Sequence, residues 1–179
     1  TRTPSAPVTF GALQNCLSAS VDPVVPSRAY VLCAGLLYTT EAERLASAGI
    51  VELTLSDDGS LAITGMATPD AAVGVPSNGL VALGDRRVLA VAAGSVLPSA
   101  PDRLLEIDVA AGTSREVLRT RAGAFVLGEG TFDRRNGVAL VPDAETSAIL
   151  RIDAATATLV GSIAIEGCVG LPPREIGPL

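Results

Sequence analysis

The chain has no histidine and no tryptophan, and all 13 of its basic residues are arginine. Without imidazole there is no Ser-His-Asp or Cys-His relay and no histidine metal ligand; without lysine there is no Schiff base and no Walker-type phosphate lysine. A GC-rich coding bias accounts plainly for arginine in place of lysine, and the exclusion stands whatever its cause. Aromatic residues are only 3% of the 179 positions. The core must therefore be built from Val, Leu, Ile and Ala, whose β-branched members favour strands. Hydrophobic residues make up 48% of the chain and the mean hydropathy is +0.44, well above the level of a disordered segment, and the length suits one ordinary domain.

Positive charge is also scarce. A formal net charge of −6 and a pI near 4.6 argue against nucleic acid or an anionic membrane surface as partner, because both require clustered cations. Arg86-Arg87 and Arg134-Arg135 are the only adjacent pairs, and each falls at a turn where two solvated arginines are expected. No run approaches the roughly 18 to 20 apolar residues that span a bilayer; residues 31–37 (VLCAGLL) and 88–94 (VLAVAAG) are strand length. The chain opens at Thr1 and not at Met, which points to a processed or trimmed product and leaves any signal or anchor segment out of view.

The three cysteines, Cys16, Cys33 and Cys168, lack the CxxC spacing of a zinc or thioredoxin site. If residues 8–18 and 29–34 pair as a hairpin about the turn VDPVVPSR, positions equidistant from Val24 and Val25 face each other. Cys16 and Cys33 are so placed. A Cys16–Cys33 disulfide is the expectation and implies an oxidising compartment; the alternative is two small buried thiols. Cys168 is then a spare cysteine, buried or free to meet one on another chain.

What the chain does have is repetition. Residues 103–120 (RLLEIDVAAGTSREVLRT) align with 148–163 (AILRIDAATATLVGSI), Ile107-Asp108 over Ile152-Asp153, and residues 49–65 are a weaker copy with Thr54 where the others have Asp. Recurrence at about 45 to 55 residues marks a modular β architecture whose units cannot bury their own faces. Short apolar runs bounded by Gly, Pro, Asp and Asn fill three units, residues 8–70, 71–122 and 123–167, between a flexible arm at 1–7 and a C-terminal tail at 168–179. Strands are expected at 29–35, 50–55 and 61–67; at 79–84, 87–94, 104–109 and 116–122; and at 124–130, 137–143, 149–154 and 159–165. Thr40 and Glu43 have the spacing of a capping box, so one short helix is expected at 40–47. That insertion reads as a surface excursion, and of all the loops it is the one best placed to touch a partner.

Residues 138–165 (VALVPDAETSAILRIDAATATLVGSIAI) resemble the loosely defined repeats of bacterial β-propellers of the YVTN and NHL type. The resemblance covers most of 77–165 and faintly 29–67. It implies an all-β fold, a propeller-like arc of about three four-stranded antiparallel blades, with a β-sandwich as the alternative architecture. It carries almost no activity, because such propellers serve as platforms, scaffolds or enzymes. Three blades fall short of the usual minimum of about four for a closed ring. Further blades, a second copy or a different protein must cover the open ends.

Candidate polar sites are few. Asp108 and Asp153 end their strands before Ala-Ala-Gly-Thr and Ala-Thr-Ala-Thr, where a carboxylate accepts from turn amides. Asp57 and Asp58 form an acidic turn without calcium-loop spacing. Glu129, Asp133, Asn136 and Asp143 are a denser polar group, of the residue types that hold a metal at the mouth of propeller hydrolases, although no motif transfers that role. No catalytic residue, metal or cofactor is assigned. The reading is a non-catalytic secreted, periplasmic or cell-surface module that associates with other protein chains, by self-association or in a larger complex. The alternative is a fragment of a propeller enzyme, lactonase-like and metal-dependent or quinoprotein-like.

Overall fold

The computed structural model describes residues 7–36, 39–96, 99–121 and 123–165. Cys168, the tail at 168–179 and all but the last residue of the 1–7 arm lie outside the described residues. Among the described residues, twelve strands form three four-stranded antiparallel sheets, each built from consecutive strands. The first holds β1 (Cys16–Val21), β2 (Arg28–Ala34), β3 (Ala48–Leu55) and β4 (Leu61–Ala67). The second holds β5 (Asn78–Gly84), β6 (Arg87–Ala92), β7 (Arg103–Asp108) and β8 (Thr113–Arg119). The third holds β9 (Thr131–Asp133), β10 (Val138–Asp143), β11 (Ala148–Asp153) and β12 (Thr158–Ala164). One helix, α1 (Glu41–Ser47), joins β2 to β3. Its capping box is complete: the Thr40 side chain accepts from the Glu43 amide, and the Glu43 carboxylate accepts from the Thr40 amide at 3.0 Å.

Strand alternation builds the core. In β6, Val88, Ala90 and Ala92 face the first sheet, where they meet Tyr30, Leu32 and Ile50. Their neighbours Leu89 and Val91 face the third sheet and meet Ala139, Val141, Leu150 and Ile152. The second sheet is thus apolar on both faces. The first strands of the sheets lie side by side, β1 against β5 and β5 against β9, so the sheets radiate from a common axis as propeller blades do. The Ser18 hydroxyl donates to Glu129 across that axis, tying the first sheet to the segment leading into the third.

Charge seals both junctions. Glu52 on β3 is 3% exposed and takes Arg86 Nε at 2.7 Å. Asp85 and Arg86 form a two-residue hairpin loop with φ of +51° and +59°, a conformation that normally calls for Asn or Gly. At the other junction Glu106 holds Arg87 at 2.9 Å and Arg115 at 2.6 Å. Arg87 donates onward to the Ala154 and Ala155 carbonyls, and Arg115 to the Thr156 carbonyl. Arg86 and Arg87 are therefore junction residues and not the solvated turn pair expected from sequence; Arg134 and Arg135 are exposed.

Three strand expectations shift, the smallest being β8, which runs Thr113–Arg119 and not 116–122. The first strand begins at Cys16 and not at Val8, because a turn at Gly11 (φ +62°) and the left-handed Asn15 (φ +52°) interrupt the backbone. The preceding segment lays Val8, Phe10 and Leu13 over Val51, Leu53 and Cys33. Residues 124–130 are also not a strand. The amides of 125–127 are drawn to a carboxylate, contact with β10 is limited to an isolated Leu127–Asp143 bridge and a Gly128 amide bond to the Pro142 carbonyl, and the three-residue β9 after them supplies the inner edge.

Cys16 pairs with Cys33 in the β1–β2 register and the two form a disulfide, Cys33 being fully buried. The bond closes a loop of 17 residues, for which loop-closure entropy predicts about 3 kcal/mol. Chemical denaturation with and without reductant should show a loss of that order, and a Cys16→Ser, Cys33→Ser variant the same loss without reductant. A second prediction concerns Tyr30, buried beside Asp22. Burial first, and the Asp22 charge second, push its phenol up from 10.0 to about 12. The neutral phenol's contribution is then present below pH 10.0 and disappears as pH rises through about 12. In a Tyr38→Phe variant the phenolate absorbance should rise near the upper value, and a midpoint at the ordinary tyrosine value would contradict this burial.

Candidate axial cavity

A cavity of about 750 Å³ opens where the starts of the three inner strands converge. Asn15 to Ser18 enter from the first sheet, Ser77 to Gly79 from the second, and Phe125 to Glu129 from the segment before β9. Leu17, Ala34, Val126 and Leu127 make much of its wall apolar. Asn78 is committed to the Leu127 carbonyl at 3.3 Å and Asn15 to the Gly35 carbonyl at 2.5 Å.

One buried carboxylate shapes this wall. Asp102 is fully buried, and its Oδ1 accepts from the amides of Gly94 at 2.6 Å and Phe125 at 2.8 Å. Its Oδ2 accepts from Val126 at 2.7 Å and Leu127 at 2.9 Å. Four amides from two loops thus share one side chain. The result holds Phe125 at φ +58°, a left-handed conformation costly for a bulky residue, with its side chain 57% exposed at the cavity. Sequence reasoning passed over Asp102; a lone Asp after proline carries no local signal that four distant amides will converge on it.

Helix α1 carries Arg44 to the cavity's edge, where two smaller pockets of about 330 and 290 Å³ adjoin. Arg103 lines both of those pockets, and Arg119, bound to Glu116 at 2.7 Å, lines the smaller.

The residues expected from sequence are dispersed. Asp108 accepts from the Ala111 amide at 2.8 Å; Asp153 accepts from the Thr156 amide at 2.9 Å and its hydroxyl at 2.8 Å. Both sit on β-turns away from the cavity. The Thr156 amide holds the Asp153 carboxyl below its ordinary value. Asp58 binds Ser60 within its own turn. Asp133 caps the β9–β10 turn through the Arg135 and Asn136 amides, and the Asn136 side chain holds its carboxyl low. Asp143 caps the β10–β11 turn through the Glu145 amide and Thr146 hydroxyl. Of the four-residue polar group, only Glu129 reaches the cavity. Among the described residues no three His, Cys, Asp or Glu are grouped to hold a metal ion, and no helix is long and apolar enough to cross a membrane.

No protein-family model matches the chain, and no curated protein matches it. Among solved structures it is similar to a chain of a nidogen/laminin complex, at 16% identity over 87% of this chain and 49% of that one, with a TM-score of 0.50. It is also similar to a luciferin-regenerating enzyme, at 11% identity over 90% of this chain and 48% of that one, with a TM-score of 0.47. The chain spans about half the length of the solved chains it matches. At such identity the first likeness bears on fold alone, and it agrees with a propeller-like arrangement of the three sheets.

The four-amide role of Asp102 predicts a large and specific loss. Asp102→Ala leaves buried amides unpaired and should cost about 3 kcal/mol or more in chemical denaturation. Asp102→Asn should cost about 2 kcal/mol, because its amide turns a donor toward donors. A cost below about 0.5 kcal/mol for either would show that water replaces the carboxylate there.

Proposed function

We propose that the protein is a non-catalytic, secreted or cell-envelope module that associates with other protein chains through the open end of an incomplete propeller. The observation that carries this is the outward face of the first sheet. Tyr30, Leu32 and Ile50 face the second sheet, so Val51, Leu53 and Leu55 face away, with Met66, Ile63 and Leu61 as their partners on β4. The segment around Phe10 covers Val51 and Leu53. Leu55, Leu61, Ile63 and Met66 stay between 40% and 46% exposed, and Val21, on β1, is 56% exposed. A connected apolar ladder of this size is uncommon on a monomer and marks a surface that another protein covers.

The third sheet ends the arc in a related way. Leu150 and Ile152 face the second sheet, which leaves Ile149 and its 49% exposed partner Ile163 on the far side. The disulfide supports an oxidising compartment. The similar chain was solved in a nidogen/laminin complex, which is consistent with a platform role and specifies no partner.

Native mass spectrometry of the chain at micromolar concentration should show a dimer or larger assembly. Ile63→Asp with Met66→Asp, both at exposed positions, should return it to the monomer mass with the fold intact. A parent chain that is monomeric throughout, and recovers no protein from the extract of its source, would overturn the reading.

A further inference from the structure

The arginines among the described residues divide by environment. Five have a carboxylate within 4.0 Å, and Arg121, Arg134 and Arg135 are exposed, where a guanidinium needs only water. Arg44, Arg103 and Arg151 are half-buried with no carboxylate oxygen in reach; Arg151 lies on the far side of the third sheet, whereas Arg44 and Arg103 share two pockets, one of them also lined by Glu41. The Arg44 side chain has one weak bond, to the Ala34 carbonyl at 3.5 Å, and the Arg103 side chain has no hydrogen bond among the described residues. Partial removal from water without a partner is unfavourable for a guanidinium unless something anionic completes it. Arg44 lines the large axial cavity as well as both smaller pockets, and Ala93 accompanies it in all three, so the cationic edge and the apolar cavity are continuous.

We propose that the axial cavity binds an organic carboxylate with an apolar body, its carboxylate held by Arg44 and Arg103 and its body lying along Leu17, Phe125, Val126 and Leu127. The planar donor fork of arginine matches a carboxylate. The cavity volume of about 750 Å³ lies within the range of ligand sites, about 300 to 1,000 Å³, and its apolar walls favour a hydrocarbon or aromatic body over a bare inorganic anion. Glu129, already engaged by Ser18, repels the anionic end and leaves the arginine edge as its place. Phe125 is the independent mark of a site: a bulky residue held left-handed and exposed at the cavity, where glycine would relax the backbone. This inference is separate from the association proposed above, since the cavity lies at the axis and the apolar ladder on the outward face.

Isothermal titration calorimetry with octanoate, 1-octanol and inorganic phosphate tests it. Octanoate should bind, and the other two at least about ten-fold more weakly. Arg44→Gln and Arg103→Gln should each weaken octanoate about ten-fold or more, Arg103→Lys less, and Arg134→Gln not at all. Absence of octanoate binding, or full affinity in either glutamine variant, overturns the proposal. Equal binding of phosphate removes the apolar body from it, and equal binding of octanol removes the arginines. If the glutamine variants do not fold, Phe125→Gly decides: it should keep or raise stability while losing octanoate affinity, and unchanged affinity counts against the site.

Discussion

The second sheet has no solvent face, and the rest of the molecule follows from that constraint. Leu80, Ala82, Val88 and Ala90 point one way, and Val81, Leu83, Leu89 and Val91 point the other, all at most 5% exposed. A sheet that is apolar on both sides is unstable alone and needs a neighbour on each. Its neighbours inherit half the problem, because each buries one face against the centre and turns the other outward. The association proposed above would continue the packing rule that builds the interior.

Buried charge gives the junctions their order. Glu52 and Glu106 occupy corresponding places on the third strand of their sheets, each turned toward the next sheet and met by arginine. Apolar surfaces can slide past one another; a carboxylate 3% exposed cannot, because losing its guanidinium leaves a buried charge. The internal repeat places Arg151 of β11 over Glu106, so the sign reverses at the end of the arc. A surface packed there would meet a cation where the earlier junctions present a carboxylate.

Much of the fold was legible because its signals are local. Short apolar runs bounded by turn residues located ten of the twelve strands, β8 three residues late, hairpin symmetry brought Cys16 opposite Cys33, and the Thr40–Glu43 spacing announced α1. The misplaced segments share one cause. Residues 8–14 and 124–130 are apolar enough to read as strands, yet their backbone amides bond elsewhere, and composition does not show where an amide bonds. The axial cavity was illegible for the same reason. Arg44 and Arg103 meet only because an insertion helix and the start of β7 share one rim, and Asp102 looks like any loop aspartate until the amides of 125–127 arrive.

The local energetics around Phe125 argue that this loop is shaped and not merely connected. Holding a non-glycine residue left-handed costs about 1 to 3 kcal/mol, and glycine at 125 would remove that cost without altering any hydrogen bond to Asp102, which needs only backbone amides. The four bonds to Asp102 over-determine the loop, so the strain can persist. A connection with no other duty has no reason to keep both a bulky side chain and an unfavourable φ at one position. The aromatic ring is displayed at the axial cavity that Arg44 also lines, and the ligand proposed above would give the unfavourable backbone a use.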